Sequence, residues 1–214
     1  MSTPDSLEDQ LNQDRAWRRT ELQSLLAQIR SSTGPAERCL CRAGVALLYA
    51  HWEGYTKLAL SRYLKYVARR KLLVQELNVC FVARALDEST KKIQGKSSLT
   101  ISMEKVAWVL ENQTARPFIP SNEEIDTRSN LSFDVCKDLF ASLGLDMGVL
   151  ETKKMLIDYS LLAKRNKVAH GEHLEVSRSS YVELHDEVLQ MIESVQRVIM
   201  TAVDNKHYRR TPCG

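Results

Sequence analysis

Glycine and proline are scarce in this chain, eight and five among 214 residues. Gly leaves regular geometry easily and Pro lacks the N–H that a helix or sheet uses. Their rarity predicts long helices rather than a strand-rich fold. No apolar run is long enough to cross a bilayer as a helix. The first residues, Met1 to Arg19, are acidic and then basic, unlike the apolar stretch of a secretory leader. A cytoplasmic protein with no membrane partner is the expectation. Cys-x-x-Cys is missing, and Cys39, Cys41, Cys80, Cys136 and Cys213 are scattered, so reduced, buried thiols are expected. There is no Gly-rich phosphate loop, no Gly-x-Ser-x-Gly, and no carboxylate pair spaced for hydrolytic chemistry. No cofactor is expected. Charge of one sign is lacking as well: 30 Lys and Arg stand against 27 Asp and Glu, so net charge does not mark a nucleic-acid binder.

The chain is long enough for one domain with a real core. Asp14 to Arg30 reads as a first helix, with Trp17, Leu22, Leu25, Leu26 and Ile29 as its apolar stripe, and residues 1–13 as a flexible N-terminus. Ser31 to Pro35 ends it. Ala36 to about Leu73 is a second, very long helix, whose Gly44 and Gly54 predict close approach of neighbouring elements. Asn78 to Asp87 and Ser102 to Asn112 read as shorter helices around a polar stretch, Ser89 to Ser98, and Arg116 to Asn130 as an irregular loop. Ser132 suits the N-cap of Phe133 to Leu143, which Gly144 stops. Glu151 to His170 follows, with Met155, Tyr159, Leu162 and Ala169 on one side and Gly171 as its stop. Ser179 to Val203 repeats apolar residues by threes and fours (Tyr181, Leu184, Val188, Ile192, Val195, Ile199), the seam of a bundle. The expected architecture is all-α: an up-and-down bundle over residues 14–205, an insertion at 78–130, and a basic tail at 206–214. The two long helices carry more apolar surface than one small bundle needs, which predicts a two-fold dimer.

Chemistry concentrates at Leu162-Ala163-Lys164-Arg165-Asn166-Lys167-Val168-Ala169-His170-Gly171. Asn166 and His170 are four apart and share a helix face, with Arg165 about 100° round from Asn166. Imidazole titrates near neutrality and can move a proton, while guanidinium pairs with phosphate oxygens as negative charge builds. That set suits phosphodiester cleavage. Spacing alone is weak, since Arg178 and His185 repeat it; that pair is expected on the exposed flank of the last helix. The residues by themselves leave open an exposed helix end in an inert module. The basic groups Lys164, Lys167, Arg128, Arg209 and Arg210 are candidates for RNA contact, though basic runs are commonly solvated faces. His51-Trp52-Glu53 lies mid-helix: Trp52 reads as core and His51 as a satisfied buried histidine, with Glu53, or less readily His51, as a support for His170. Arg128-Ser129-Asn130 reads as a capping segment for the next helix, with a grip on RNA or a second protomer as the alternative. His170-Gly171-Glu172-His173 is a poor metal site, because Gly171 breaks the helix between the histidines.

Arg165-Asn166-x-x-x-His170 resembles the Arg-x(4–6)-His motif of HEPN domains. Nearly the whole chain, from Asp14 to Arg210, is similar to stand-alone bacterial HEPN-like nucleases of toxin and defence loci. The matching stretches are Asp14–Arg18, Leu47–Tyr55, Ile125–Leu131, Ala163–Glu172 and Tyr208–Arg210. The resemblance implies a HEPN-type bundle and a homodimer whose two motifs share one cleft. It implies metal-independent endoribonuclease activity by attack of the ribose 2′-hydroxyl, leaving 2′,3′-cyclic phosphate and 5′-hydroxyl ends. Arg165, His170 and Asn166 become the catalytic candidates. The implied partners are an RNA substrate, tRNA or mRNA, and an antitoxin or defence protein. The alternative is a catalytically inactive module that binds RNA or nucleotide, or scaffolds a partner protein.

Overall fold

The computed structural model describes residues 3–90, 98–122, 125–128 and 130–210. The Thr3 hydroxyl accepts the Ser6 N–H at 3.1 Å, and Pro4 takes a first-turn position where its missing N–H costs nothing. Helix α1 therefore starts early and spans Pro4–Ser31. Leu7 and Leu11 on this first part are buried in the core. The expectation of a flexible N-terminus is corrected: a cap and two leucines one turn apart hold it. Trp17 is corrected as well. It is 49 % exposed rather than part of the apolar stripe, its indole N–H donating to Asp14 at 3.0 Å and its ring under the Arg18 guanidinium.

Helix α2, Gly34–Ala68, is the spine. Val45, Leu48, Trp52, Tyr55, Leu60 and Tyr63 are all fully buried, each contributing roughly 1.5–3 kcal/mol of transfer free energy. The last helix, α7, spans Arg178–Asp204, capped where the Ser177 hydroxyl accepts the Ser180 N–H. Its expected seam is buried throughout, from Tyr181 to Ile199. α1, α2 and α7 pack on one another. A buried relay fixes their register: the Tyr55 hydroxyl donates to Gln196 Oε1 at 3.0 Å, and Gln196 Nε2 donates to Asn12 Oδ1 at 2.7 Å.

A 3₁₀ turn, Val74–Glu76, leads into the inserted region, which holds α3, Val79–Thr90, and α4, Ser98–Glu111. Phe81 of α3 enters the core edge-on to Tyr63. The predicted polar stretch before α4 lies mostly outside the described residues. The loop after α4 is irregular, as predicted, and is pinned by the buried Ile119 and Ile125. Residues 206–210, expected as a basic tail, are docked. The Asn78 N–H donates to the Tyr208 carbonyl at 2.9 Å, the Arg210 N–H to the Glu76 carbonyl at 2.8 Å, and Tyr208 is buried against Tyr66. Residues 211–214, Cys213 among them, lie outside the described set. Among the described residues, the bridge between Leu77 and Arg209 is the one strand-like pairing.

Helix α5, Phe133–Ala141, has the expected Ser132 cap, accepting from the Val135 N–H, and Gly144 follows at φ +64°. The single helix predicted from Glu151 to His170 is three pieces: a 3₁₀ run Gly148–Lys153, a π-helical segment Leu156–Ala163, and α6, Lys164–Ala169. The wider i→i+5 turn shifts the phase of the buried side. Ile157 and Leu161 go inside, whereas Met155 and Tyr159 stand 66 % and 61 % exposed, against the expected stripe. The four cysteines among the described residues are free thiols; Cys41 and Cys136 are buried, but Cys39 is exposed, against expectation. Burial pushes the Cys136 thiol up to about 12.

Gly44 bears out the predicted close approach, because a Cβ there would overlap the Tyr181 ring. Gly44→Ala should destabilise the fold by about 1–3 kcal/mol in urea unfolding, despite Ala's better helix propensity. Trimming the ring in Gly44→Ala/Tyr181→Leu should recover part of the loss.

Candidate functional site

The segment carrying Arg165 and His170 is held at both ends. At its start, Asp158 of the π segment accepts the Phe133 N–H at 2.7 Å, tying it to α5. At its end, Gly171 takes φ +74°, the left-handed region glycine favours. The Gly171 N–H then donates to the Val168 carbonyl and the Glu172 N–H to the Lys167 carbonyl, at 3.2 and 2.9 Å. This is a Schellman ending, and it satisfies carbonyls that a helix end would otherwise leave open. Gly171 is thus the stop the sequence predicted.

Arg165 is half-buried. Its guanidinium lies 4.2 Å over the Tyr49 ring, and Nη2 donates to Asn130 Oδ1 at 2.5 Å. Tyr49 is itself fixed, its hydroxyl accepting the Leu131 N–H at 2.7 Å. Burial and the nearby Glu53 carboxylate raise the Tyr49 phenol, against the lowering contact with Arg165, so it stays a neutral platform. Among the described residues no carboxylate lies within ion-pair distance of Arg165, and its Nε is buried without a partner. A half-buried cation with a fixed orientation and spare donors is a place for an anion, and the fork matches phosphate.

His170 is the C-terminal cap residue of α6, its N–H donating to the Asn166 carbonyl at 2.9 Å. Its ring is exposed. Asn166, one turn earlier, is half-buried on the same face. An anchored guanidinium and a solvent-facing imidazole are therefore presented on one short helix.

The supporting candidates divide. Glu53 is on the Tyr49 side of α2, one turn on, and accepts the Thr127 hydroxyl proton at 2.6 Å. His51 is roughly 200° round from it and faces α1 instead, with Nε2 2.8 Å from the Glu21 carboxylate and the Trp17 ring edge-on. The expected buried histidine is there, but not beside His170. Of the RNA-contact candidates, Lys167 is exposed on α6, while Lys164 lines a depression with Glu183 and Glu187. Arg128 is in a turn at φ +54° and pairs with Asp138 at 3.4 Å. Arg209 pairs with Glu76 and Arg210 sits beside it. Tyr66, near that tail, is roughly 25 Å further along α2 than Tyr49, so the tail is not brought to the motif. Ser129 lies outside the described residues.

His185 corrects the reading of the second Arg–His pair. It is 2 % exposed, with Nδ1 2.9 Å from Asp186, and Arg178 binds Glu37 and the Ser32 carbonyl. Sequence reasoning missed Tyr49 and Thr127, and it gave Asn130 no role beside Arg165. Their signal was only a Tyr and a Glu one turn apart on α2, and a polar triplet after a Pro-containing loop.

His51 generates a pH test. Burial and the adjacent Arg18 push its imidazole below the ordinary value, outweighing the Glu21 carboxylate. The ring is then neutral when folded, while the unfolded chain protonates near pH ~6.5. The stability tied to it is complete above that pH and drains away as pH falls. Urea unfolding between pH about 7.5 and about 5 should show a steeper loss for wild type than for His51→Gln; parallel curves would refute the assignment.

No curated protein and no solved structure matches the chain. A family model does, over residues 7–208, and it spans the bundle, the insertion and the Arg165–His170 helix together. That membership carries the all-α fold and points to a nuclease-type or RNA-related function. The chain belongs to the HEPN_MAE_28990-like HEPN family.

Proposed function

We propose that the protein is an endoribonuclease that cuts RNA without a metal ion. The observation that carries this reading is Arg165, clamped between Tyr49 and Asn130 with no carboxylate partner among the described residues, on the same short helix as the exposed His170. In the reaction the ribose 2′-oxygen bonds to the adjacent phosphorus and the bond from phosphorus to the 5′-oxygen breaks. A base takes the 2′-hydroxyl proton and an acid gives one to the departing 5′-oxygen. The products are a 2′,3′-cyclic phosphate and a 5′-hydroxyl, and RNA is required because DNA lacks the nucleophile. His170 moves the proton, Arg165 holds the phosphorane charge, and Asn166 orients His170 or the phosphate.

One imidazole cannot serve both oxygens at once, so the reading includes a homodimer whose two motifs face a single phosphate. Met155 and Tyr159, exposed just before α6, offer apolar surface for the second copy. A nuclease of this kind has to be restrained, and a toxin or defence effector acting on tRNA or mRNA, held by an antitoxin or defence partner, fits that need. A second reading, a module that binds RNA or a partner without cutting, draws on one observation. Among the described residues no side chain hydrogen-bonds the His170 ring to set its tautomer.

Purified wild type should cut a labelled mixture of tRNA and mRNA in excess EDTA and leave cyclic phosphate ends. His170→Ala and Arg165→Ala should each lose about 10²–10⁴ in rate. Activity abolished by EDTA would refute the mechanism, equal activity of wild type and His170→Ala would refute the site, and a monomeric mass in solution would refute the shared cleft.

A further inference from the structure

No residue of helix α4 is buried, although the helix is 14 residues long and rich in apolar side chains. Its inner side rests on α3, with Trp108 against the edge of the core and Lys105 2.9 Å from Asp87. The chain just beyond it is tied down where the Val74 and Gln75 N–H groups donate to the Ala115 and Gln113 carbonyls, each at 3.0 Å. The outer side carries Leu99, Met103, Val106 and Leu110, between 59 and 71 % exposed. Thr100, Ser102 and Ala107 flank them, all exposed and none charged, while Glu104 and Lys105 are half-buried. A helix this short is marginal by itself in water. In a chain that is 27 % charged, a helix face left to solvent ordinarily carries charge.

Spacings of four, three and four residues place these apolar side chains in one straight seam, the pattern by which two helices pack knobs into holes. Their order is also palindromic. About the midpoint between Glu104 and Lys105, Leu99 mirrors Leu110, Met103 mirrors Val106, and Ser102 mirrors Ala107. Laid antiparallel on an identical helix, each large residue meets a large one and each small flank a small one, and no charge enters the seam. A two-fold contact requires just this, one patch complementary to itself; an unrelated partner requires no such symmetry. The four side chains hide roughly 150–300 Å² of apolar area per copy, well short of the ~800 Å² per partner of a standing complex. The pairing is therefore one that forms and dissociates with concentration.

We propose that α4 is a docking surface for α4 of a second copy of this chain, the two helices antiparallel about a two-fold axis at Glu104–Lys105. The insertion joins α2 near Tyr63, where Phe81 of α3 enters the core, roughly 21 Å along the helix from Tyr49. The contact therefore leaves Arg165 and His170 uncovered and is separate from any pairing at the motif. A chain with two-fold contacts on two different faces builds assemblies larger than a dimer. Copies already joined at one face also meet at the other with a raised effective concentration. The inference stands whether or not the protein cuts RNA.

The test is sedimentation velocity of the full chain from micromolar to submillimolar concentration, at low salt. Wild type should show a mass that rises with concentration. Met103→Lys and Val106→Glu, each alone, should weaken that step by roughly a hundredfold, because like charges then face each other across the axis. Mixed in equal amounts, the two variants should associate again, since the antiparallel register sets residue 103 of one copy against residue 106 of the other. Recovery on mixing also shows that both variants are folded, and a parallel register or a foreign partner gives no such recovery. A wild-type mass that does not change with concentration, variants that associate as wild type does, or a mixture that stays dissociated would each overturn the proposal. A pairing at the Arg165–His170 face survives both substitutions, so its presence or absence is read separately from the mass the variants retain.

Discussion

Helix α2 has to be covered on nearly every side. Its buried residues run from Cys41 to Val67, and between them only Ala43, Ala50 and Arg62 are exposed, so the helix is stable only with neighbours on several sides. α1 and α7 take two sides, and the π segment with α6 takes much of what remains. Much of the apolar surface that suggested a dimer in the sequence is thus buried within one chain. The exposed large apolar groups lie elsewhere, on Trp17, Val79, α4, Phe118, Met155 and Tyr159. The position of α6, and with it Arg165, follows from the need to cover Tyr49 and its neighbours.

The electrostatic arrangement follows from the same packing. A charged group pressed against an apolar helix ordinarily acquires a counter-ion, as Arg18 does with Asp14 and Arg178 with Glu37. Arg165 receives an aromatic face and an amide oxygen instead. Both are dipolar, so they fix its direction while leaving its charge uncompensated. That distinction separates an arginine that locks two helices together from one that stands ready for an anion.

Legibility in the sequence tracked how local each determinant is. The α7 seam could be read because its apolar residues repeat on one face within one element. Gly171 and Ser132 could be read because a helix end is specified within a few residues. The first turns of α1 were hidden because Asp5, Glu8 and Asp9 surround Leu7 and Leu11, and Trp17 was misjudged because its indole finds polar partners at the surface. Arg165 and His170 stood out through their spacing and family resemblance. Tyr49 and Asn130 could not, since they meet their partners across 82 and 35 residues of chain. The departure from α geometry between Leu156 and Ala163 changes the period itself, and a stripe counted at 3.6 residues per turn mistakes one side for the other.

That same departure makes the Arg165 end of the molecule a question of phase. A π-helical segment is in effect an α-helix with a residue too many, carried because the surroundings gain from it. Each residue added to or taken from a helix turns everything beyond it by about 100°. Loss of a single residue between Leu156 and Ala163 would let the segment relax into ordinary helix with Arg165 still close to Tyr49, whereas gain of one would turn Arg165 by about 100° and leave Ser132, Gly171 and the rest of the sequence untouched. The motif can thus be put out of register by a change of length alone, with none of its residues replaced.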